Sequence, residues 1–259
     1  MRITSWNLLH GQPIPPLSAG PSQESLAAAV RQLETEVIAV QEVDYKLLRS
    51  KMRNQVSDIA DAIGAKDWAF APSVWRKEEE WLDWPKTQSS DFPEIITKTS
   101  TSKQPGYGIS IISKLPVIKW ERKELSKALV GWWLPFTSDG VTKKYWVKDH
   151  ARNALAAYLE DGTVIINTHL SWEPIFRNIQ LIQLKRWANQ IAKDKSLRVI
   201  IAGDLNIQND WQESVNSLRW RSLVKQLTFP VWKPNQQIDH FLAKPGTNAN
   251  LEPIIFSKI

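Results

Sequence analysis

The chain reads as an α/β (α+β) protein in which two packed sheets are flanked by helices. Three observations predict this. Apolar runs of strand length outnumber the helical segments, more than a strict βαβ alternation supplies. An Asp161-Gly162 pair between two such runs marks a hairpin, because Asp-Gly readily takes positive φ. Hairpins that coexist with helices suit layered sheets better than a doubly wound parallel sheet. At 259 residues the core is ample. With no linker, repeat or low-complexity tract in view, one domain is expected over residues 1–259.

The elements follow in order. Residues 2–6 form a strand and lead into a polar, Pro-rich loop through Pro21. Ser22 caps a helix that turns Leu26, Val30 and Leu33 to one face. Residues 37–40 are a short buried strand ending at Gln41-Glu42. A second helix covers 54–63, with Val56, Ile59 and Ile63 inward and Gly64 as its stop. Residues 72–105, mixed in charge and rich in Ser, Thr and Trp, read as an inserted loop. Strands follow at 107–113, closed by Lys114-Leu115-Pro116, and then at 145–147, 154–159 and 163–168. A long helix over 175–192 has Ile179, Ile182, Leu184 and Ile191 among its apolar positions. Strand 197–202, a short helix near 210–218 and strand 238–243 complete the chain.

Composition narrows the chemistry. With no cysteine, disulfides, a thiolate nucleophile and Cys-ligated zinc are excluded. A net charge of +6 favours anionic partners such as phosphorylated substrates or nucleic acid. Residues 98–152 hold eleven Lys/Arg against four Asp/Glu, in no strong pattern, which is also how a solvated surface reads. Among the fourteen tryptophans, Trp75, Trp81, Trp84, Trp132 and Trp133 fall in expected loops, where they could stack bases or rest on a lipid headgroup. Met1-Arg2 runs directly into a strand without an apolar signal region, and no apolar run reaches transmembrane length. A cytoplasmic protein with no transmembrane segment is expected.

The most informative stretch is Ile200-Ile201-Ala202-Gly203-Asp204-Leu205-Asn206, an apolar strand followed by an acid and an amide. Gly203 is read as permitting a tight turn, and Asp204 and Asn206, two residues apart, as pointing the same way in extended geometry. Such a pair suits a hard cation and the phosphate or water it activates. Polar residues recur at other strand ends: Asn7, Glu42, His169 and Asp239. Each alone fits a turn former or a satisfied interior residue. Alternation puts His240 on the face opposite Asp239, so it is read as structural. Arg152 offers a fork of donors that suits a phosphate.

Six motifs then appear in order: Trp6-Asn7, Gln41-Glu42-Val43-Asp44, Gly108-Ile109-Ser110-Ile111-Ile112-Ser113 with Leu115-Pro116, Asn167-Thr168-His169-Leu170, Gly203-Asp204-Leu205-Asn206 and Ile238-Asp239-His240. This series resembles the endonuclease/exonuclease/phosphatase superfamily over nearly the whole chain. The resemblance implies a deoxyribonuclease-like four-layer α/β/β/α sandwich of two mixed sheets. It implies metal-assisted, in-line attack of water on a phosphate ester, a phosphodiester in the first instance, borne by nucleic acid, a phospholipid headgroup or a small metabolite. By position, Glu42 resembles the main Mg²⁺ ligand (Mn²⁺ being the alternative ion), assisted by Asn7. Asp204 resembles the residue that orients the water, Asn206 and His169 those that contact the scissile phosphate, and Asp239 the acid of a late strand. Members normally end in a Ser-Asp-His motif that supplies the general-base pair. Residues 254–259 stand where it is expected, and none of His10, His150, His169 and His240 replaces it. The expectation is a domain short of its last strand. It is read as a shortened enzyme or, alternatively, as an inactive relative that binds nucleic acid or a phosphate ligand.

Overall fold

The computed structural model describes residues 1–14, 22–77, 80–82, 91–129, 131–138, 141–207 and 217–244. The first sheet takes all its strands from the N-terminal half. They are β1 (Ile3–Asn7), β2 (Val37–Leu47), β3 (Arg53–Asn54), β4 (Asp67–Lys77), β5 (Glu80–Leu82), β6 (Ile96–Thr97) and β7 (Gly106–Ser113). Its path is β1-β2-β7-β4-β5, with β3 on β2 and β6 on β4. Next come β8 (Val117–Leu125) and a separate hairpin, β9 (Trp132–Ser138) with β10 (Val141–Val147). The second sheet adds β11 (Arg152–Leu159), β12 (Thr163–His169), β13 (Arg198–Asp204), β14 (Arg221–Ser222) and β15 (Asp239–Ala243), in the order β14-β15-β13-β12-β11-β8. Both sheets are mixed: β1 with β2 and β12 with β13 are parallel, and the other pairings are antiparallel.

Alternation along each strand builds the layers. Val37, Ala69, Ala71, Ile109 and Ile111 of the first sheet meet Leu155, Ala157, Leu159 and Ile165 of the second in one apolar cluster between them. The opposite face of the first sheet carries Ile38, Val40 and Phe70 beneath α1 (Gln23–Gln32) and α2 (Gln55–Ile63). The opposite face of the second carries Val164, Ile166 and Ile201 beneath α3 (Pro174–Ile191). The result is the expected α/β/β/α sandwich. The expected caps form as well: Ser22 Oγ accepts from Ser25 N at 3.0 Å, and Gly64 ends α2 at φ 68°.

Several boundaries differ from the sequence reading. Strand β2 runs seven residues past Val40. The segment read as an insertion contains most of β4, whose Pro72 is accommodated by a register shift between Pro72 and Val74. Trp75, expected in a loop, is 2% exposed and packs beneath the helices. Strand β8 was hidden by its charged, exposed residues. On α3, Ile179 and Ile182 are exposed while Arg177, Gln180 and Lys185 are buried, because polar anchors share the inner face with Leu181, Leu184 and Ala188. Most of the short helix read near 210–218, the side chains of Trp81 and Trp132, and Trp84 lie outside the described residues, as do residues 245–259.

Apolar contact gives way to amides where the sheets approach the functional edge. Asn167, fully buried on β12, donates through Nδ2 to the carbonyls of Val40 (2.8 Å) and Ser110 (2.7 Å) in the opposite sheet. Its Oδ1 accepts from Gln41 Nε2 at 2.7 Å. Replacing Asn167 with Leu strands those three groups in a dry interior. The expected loss is about 3–5 kcal/mol of unfolding free energy, read by urea denaturation. A loss below about 1 kcal/mol would show that the bridge is dispensable.

Candidate active site

The strands deliver polar side chains to one edge. Asn7, His169 and Asp204 are the last residues of β1, β12 and β13, and Asp239 opens β15, which runs the other way. Asp204 and Asp239 are cross-strand partners. Glu42 was expected at a strand end but lies inside β2, at a bulge. Val40 pairs with Ser110 and Val43 with Gly108, so β2 carries one extra residue there. Without it, alternation from Ile38 and Val40 would send Glu42 beneath the helices. Glu42 instead takes φ 55°, a left-handed conformation that costs a non-glycine residue about 1 kcal/mol or more.

Asn7 links the acids. Its Nδ2 donates to Glu42 Oε1 at 3.0 Å and to Asp204 Oδ2 at 3.1 Å. His169 Nε2 stands 3.7 Å from Asp204 Oδ2, and His169 is 8% exposed. Gly203 does not make the expected turn. It lies within β13 at φ 144°, and a Cβ there would stand 2.0 Å from the Thr168 carbonyl oxygen, so glycine permits the close approach of β12. The extended alternation expected of Asp204 and Asn206 also fails, because the strand ends at Asp204 and Asn206 adopts φ 52°. Asn206 is still fixed beside the acids: its N donates to Asp204 Oδ1 (2.8 Å) and its Nδ2 to Leu170 O (2.9 Å). Arg177 of α3 donates to the Asn206 carbonyl.

The same helix braces the surrounding loops. Gln180 accepts from Ser171 N and donates to Ser126 O, both at 2.7 Å, and Gln183 holds both the amide and the hydroxyl of Ser126. His240 is 1% exposed, with Nδ1 3.4 Å from Ser222 Oγ and from Gln237 Nε2, in keeping with a structural reading. Arg152, expected as a phosphate clamp, is 5% exposed at the cavity wall, and its Nη2 donates to Asp149 Oδ1 at 2.5 Å.

Asn7, Glu42, Arg152, His169, Asp204, Asn206 and Asp239 line one cleft of about 1800 Å³, together with residues of β1 and of the 223–236 segment. Burial raises the proton affinity of Asp204 to about 8, helped by the neighbouring Asp239 charge, and that of Asp239 to about 6. Burial, reinforced by Arg152 and His150, holds His169 well below the usual histidine range. Three acids thus line an edge whose buried arginines are already engaged, Arg152 by Asp149 and Arg177 by the Asn206 carbonyl. A divalent ion fits this donor set. Among the described residues no three carboxylate or imidazole groups lie close enough to chelate an ion by themselves. Mg²⁺ commonly accepts one or two carboxylates with water and phosphate oxygens completing its shell. Glu42 and Asn7 are the pair that would hold it.

Sequence reasoning missed the support behind Glu42. Arg49 grips the buried Asp44 through two bonds (2.8 and 2.6 Å) and lies over the Tyr107 ring at 5.3 Å. His10 Nδ1 faces Glu42 Oε2 at 3.8 Å, with its ring 5.7 Å from that of Tyr107. Asp44 already stood in a recognised motif and Tyr107 preceded another. Nothing local marked His10, whose left-handed φ of 56° arises in a short turn after β1.

The chain matches the model of the Endonuclease/Exonuclease/phosphatase family over residues 4–252. It belongs to that family. A comparison with curated protein sequences found no match. Among solved structures, the fold is similar to a mannosyl-6-phosphatase from Bacteroides thetaiotaomicron, at 14% identity over 95% of this chain and 86% of that one, with a TM-score of 0.59. It is also similar to sphingomyelinase C from Streptomyces griseocarneus (13%, 94% and 82%, TM-score 0.55). The human Nocturnin catalytic domain with bound sulfate is a third (14%, 95% and 82%, TM-score 0.52). No helix among the described residues is long and apolar enough to cross a membrane.

The acids make stability depend on pH. Asp204 and Asp239 bind protons more tightly folded than unfolded, so the metal-free protein is most stable below pH 4 as far as these groups are concerned. It loses that stability as pH rises toward 8. Asp204→Asn is expected to flatten this slope and to raise Tm at pH 8, read by thermal melts across pH 4–8. An unchanged slope would mean that Asp204 does not titrate in this range.

Proposed function

We propose that the protein is a Mg²⁺-dependent phosphodiesterase that hydrolyses its substrate by in-line attack of water. The observation that carries this reading is the Asn7 amide, which joins Glu42 and Asp204 although the latter lies 197 residues away in sequence. Such a contact joins the ends of β1 and β13 to the bulge of β2 in one acid-and-amide cluster. Family membership supports hydrolysis of a phosphate ester in general. A diester suits the size of the cleft, about 1800 Å³, whose lining reaches beyond the cluster to residues of β1 and of the 223–236 segment.

The roles follow from position. When bound by Glu42 and Asn7, Mg²⁺ supplies charge neutralisation at the phosphoryl oxygen. Asp204, fixed by Asn7 and by the Asn206 amide, accepts an O–H from the attacking water and so sets its direction. His169, held neutral by its surroundings, and the remaining N–H of Asn206 donate to the non-bridging oxygens. Arg152 adds positive potential from the wall, and the charge of Asp239 on the adjacent strand raises the basicity of Asp204.

The test is Mg²⁺-dependent release of nitrophenol from bis(p-nitrophenyl) phosphate. Glu42→Ala is expected to abolish turnover and His169→Ala to lower kcat by about 10²–10³-fold. Salt-sensitive DNA binding without any turnover would instead support a non-catalytic binding role. Full activity in Glu42→Ala would overturn the reading.

A further inference from the structure

Among the described residues, the β9–β10 hairpin is a sheet of its own, paired with neither of the two large ones. Two strands alone bury little, and a lone hairpin is marginally stable in water. This one nevertheless carries large apolar side chains in the open. Trp133 is 56% exposed, Tyr145 52% and Trp146 54%, and Val141 and the preceding Leu129 are exposed as well. Tyr145 and Trp146 are consecutive in an antiparallel strand, so they point to opposite faces. Both faces of the ribbon therefore reach solvent.

The indoles are held in place. Trp133 and Trp146 are cross-strand partners, and their rings meet edge-on at 5.6 Å and 70°. Gly131 makes room for the pair, since a Cβ there would stand 2.5 Å from Trp146 Nε1. Lysines accompany the rings on both faces. Alternation puts Lys143 beside Tyr145 and Lys144 beside Trp146, and both lysines are exposed. Residues 127–148 hold four lysines and a single acid, Asp139. The hairpin then leads straight to the cleft, whose lining includes Val147 and Lys148.

Indole and phenol rings beside lysines make up the composition that settles in the polar layer of a bilayer, where ring bodies meet acyl chains and ammonium groups meet lipid phosphate. We propose that this hairpin docks the protein on an anionic lipid bilayer. Two observations favour a bilayer over other partners. A folded protein covers one face of a ribbon, whereas a headgroup layer surrounds an inserted hairpin on both, which matches the equal exposure of Tyr145 and Trp146. Single-stranded nucleic acid stacks its bases on aromatic faces, yet Trp133 and Trp146 are engaged with each other, and Val141 and Leu129 offer no ring. Docking is independent of the phosphodiesterase reading. Joined to it, docking sets the cleft beside phospholipid headgroups, because Val147 and Lys148 connect the two.

Co-sedimentation of the full chain with lipid vesicles tests this and needs no turnover. Vesicles of phosphatidylcholine with about 30% phosphatidylglycerol are expected to bind about tenfold or more tightly than phosphatidylcholine alone, and less so as salt is raised. Trp133→Ser combined with Trp146→Ser is expected to weaken binding by about tenfold or more, with Tm unchanged. Lys143→Gln combined with Lys144→Gln keeps the rings and should cut the preference for anionic vesicles by about fivefold or more. No binding to anionic vesicles, or binding that either double substitution leaves unchanged, overturns the proposal. So does salt-sensitive binding of a single-stranded oligonucleotide, lost with the tryptophan pair, in a protein that ignores vesicles. Turnover of bis(p-nitrophenyl) phosphate separates the two readings: vesicle binding without turnover sinks only the hydrolase, and turnover without vesicle binding sinks only the docking surface.

Discussion

The close approach of the two sheets at their functional edge depends on amide chemistry. Farther from the edge, interdigitated aliphatic side chains fill the interface, and an exchange among them would be tolerated if volume were kept. At Asn167 the requirement is stricter. One side chain satisfies two carbonyls and one amide of the opposite sheet, and no apolar residue can imitate that. The bridge fixes β2 against β12 in depth and in register. Glu42 follows directly after Gln41 and His169 lies two residues past Asn167, so the same contact sets the distance between the carboxylate and the imidazole. Packing holds the sheets together, and the amide bridge determines where their ends meet.

Local strain is concentrated where those ends carry function. Glu42 and Asn206 both sit at positive φ without being glycine, and each is held by neighbours on several sides. Glu42 is backed by Asn7, His10 and Tyr107. Asn206 is held through its amide, its side chain and its carbonyl. Over-determination of this kind lets a backbone keep an unfavourable conformation. It also leaves the side chains little rotational freedom to lose when a ligand arrives, which is the physical content of a preorganised site.

How far the sequence disclosed all this depends on the range of the signal. Caps and helix stops were legible because their determinants lie within one turn, as Ser22 and Gly64 show. Strands buried on both faces, β7 and β12, were legible from continuous apolar runs. Strand β8 was not, because Lys119, Arg122, Lys123 and Glu124 interrupt its apolar positions, and β4 was obscured by a proline that sits at its bulge. The ordered motifs brought Asn7, Glu42, His169, Asp204, Asn206 and Asp239 into one reading, and the fold gathers them at one edge. What stayed hidden was conformational: the extra residue that reorients Glu42, the left-handed turn at Asn206 and the carbonyl that forbids a side chain at Gly203. None of these leaves a periodic trace, because each is set by partners outside its own strand's alternation.

The inner face of α3 carries a final consequence. Arg177 engages the turn after β13, Gln180 the loop after β12 and the residue after β8, and Gln183 that same residue, Ser126. A helix seated only by leucines could slip along its axis and find comparable burial one turn away. This one is keyed, since a shift of a single turn would misplace every amide and guanidinium against its lock. The outer layer thereby acts as a gauge for the inner one. Lengthening the stretch between Ser171 and Gln180 by one residue would unseat loops on three strands together, whereas an insertion beyond Ile191 would leave the key in its slot.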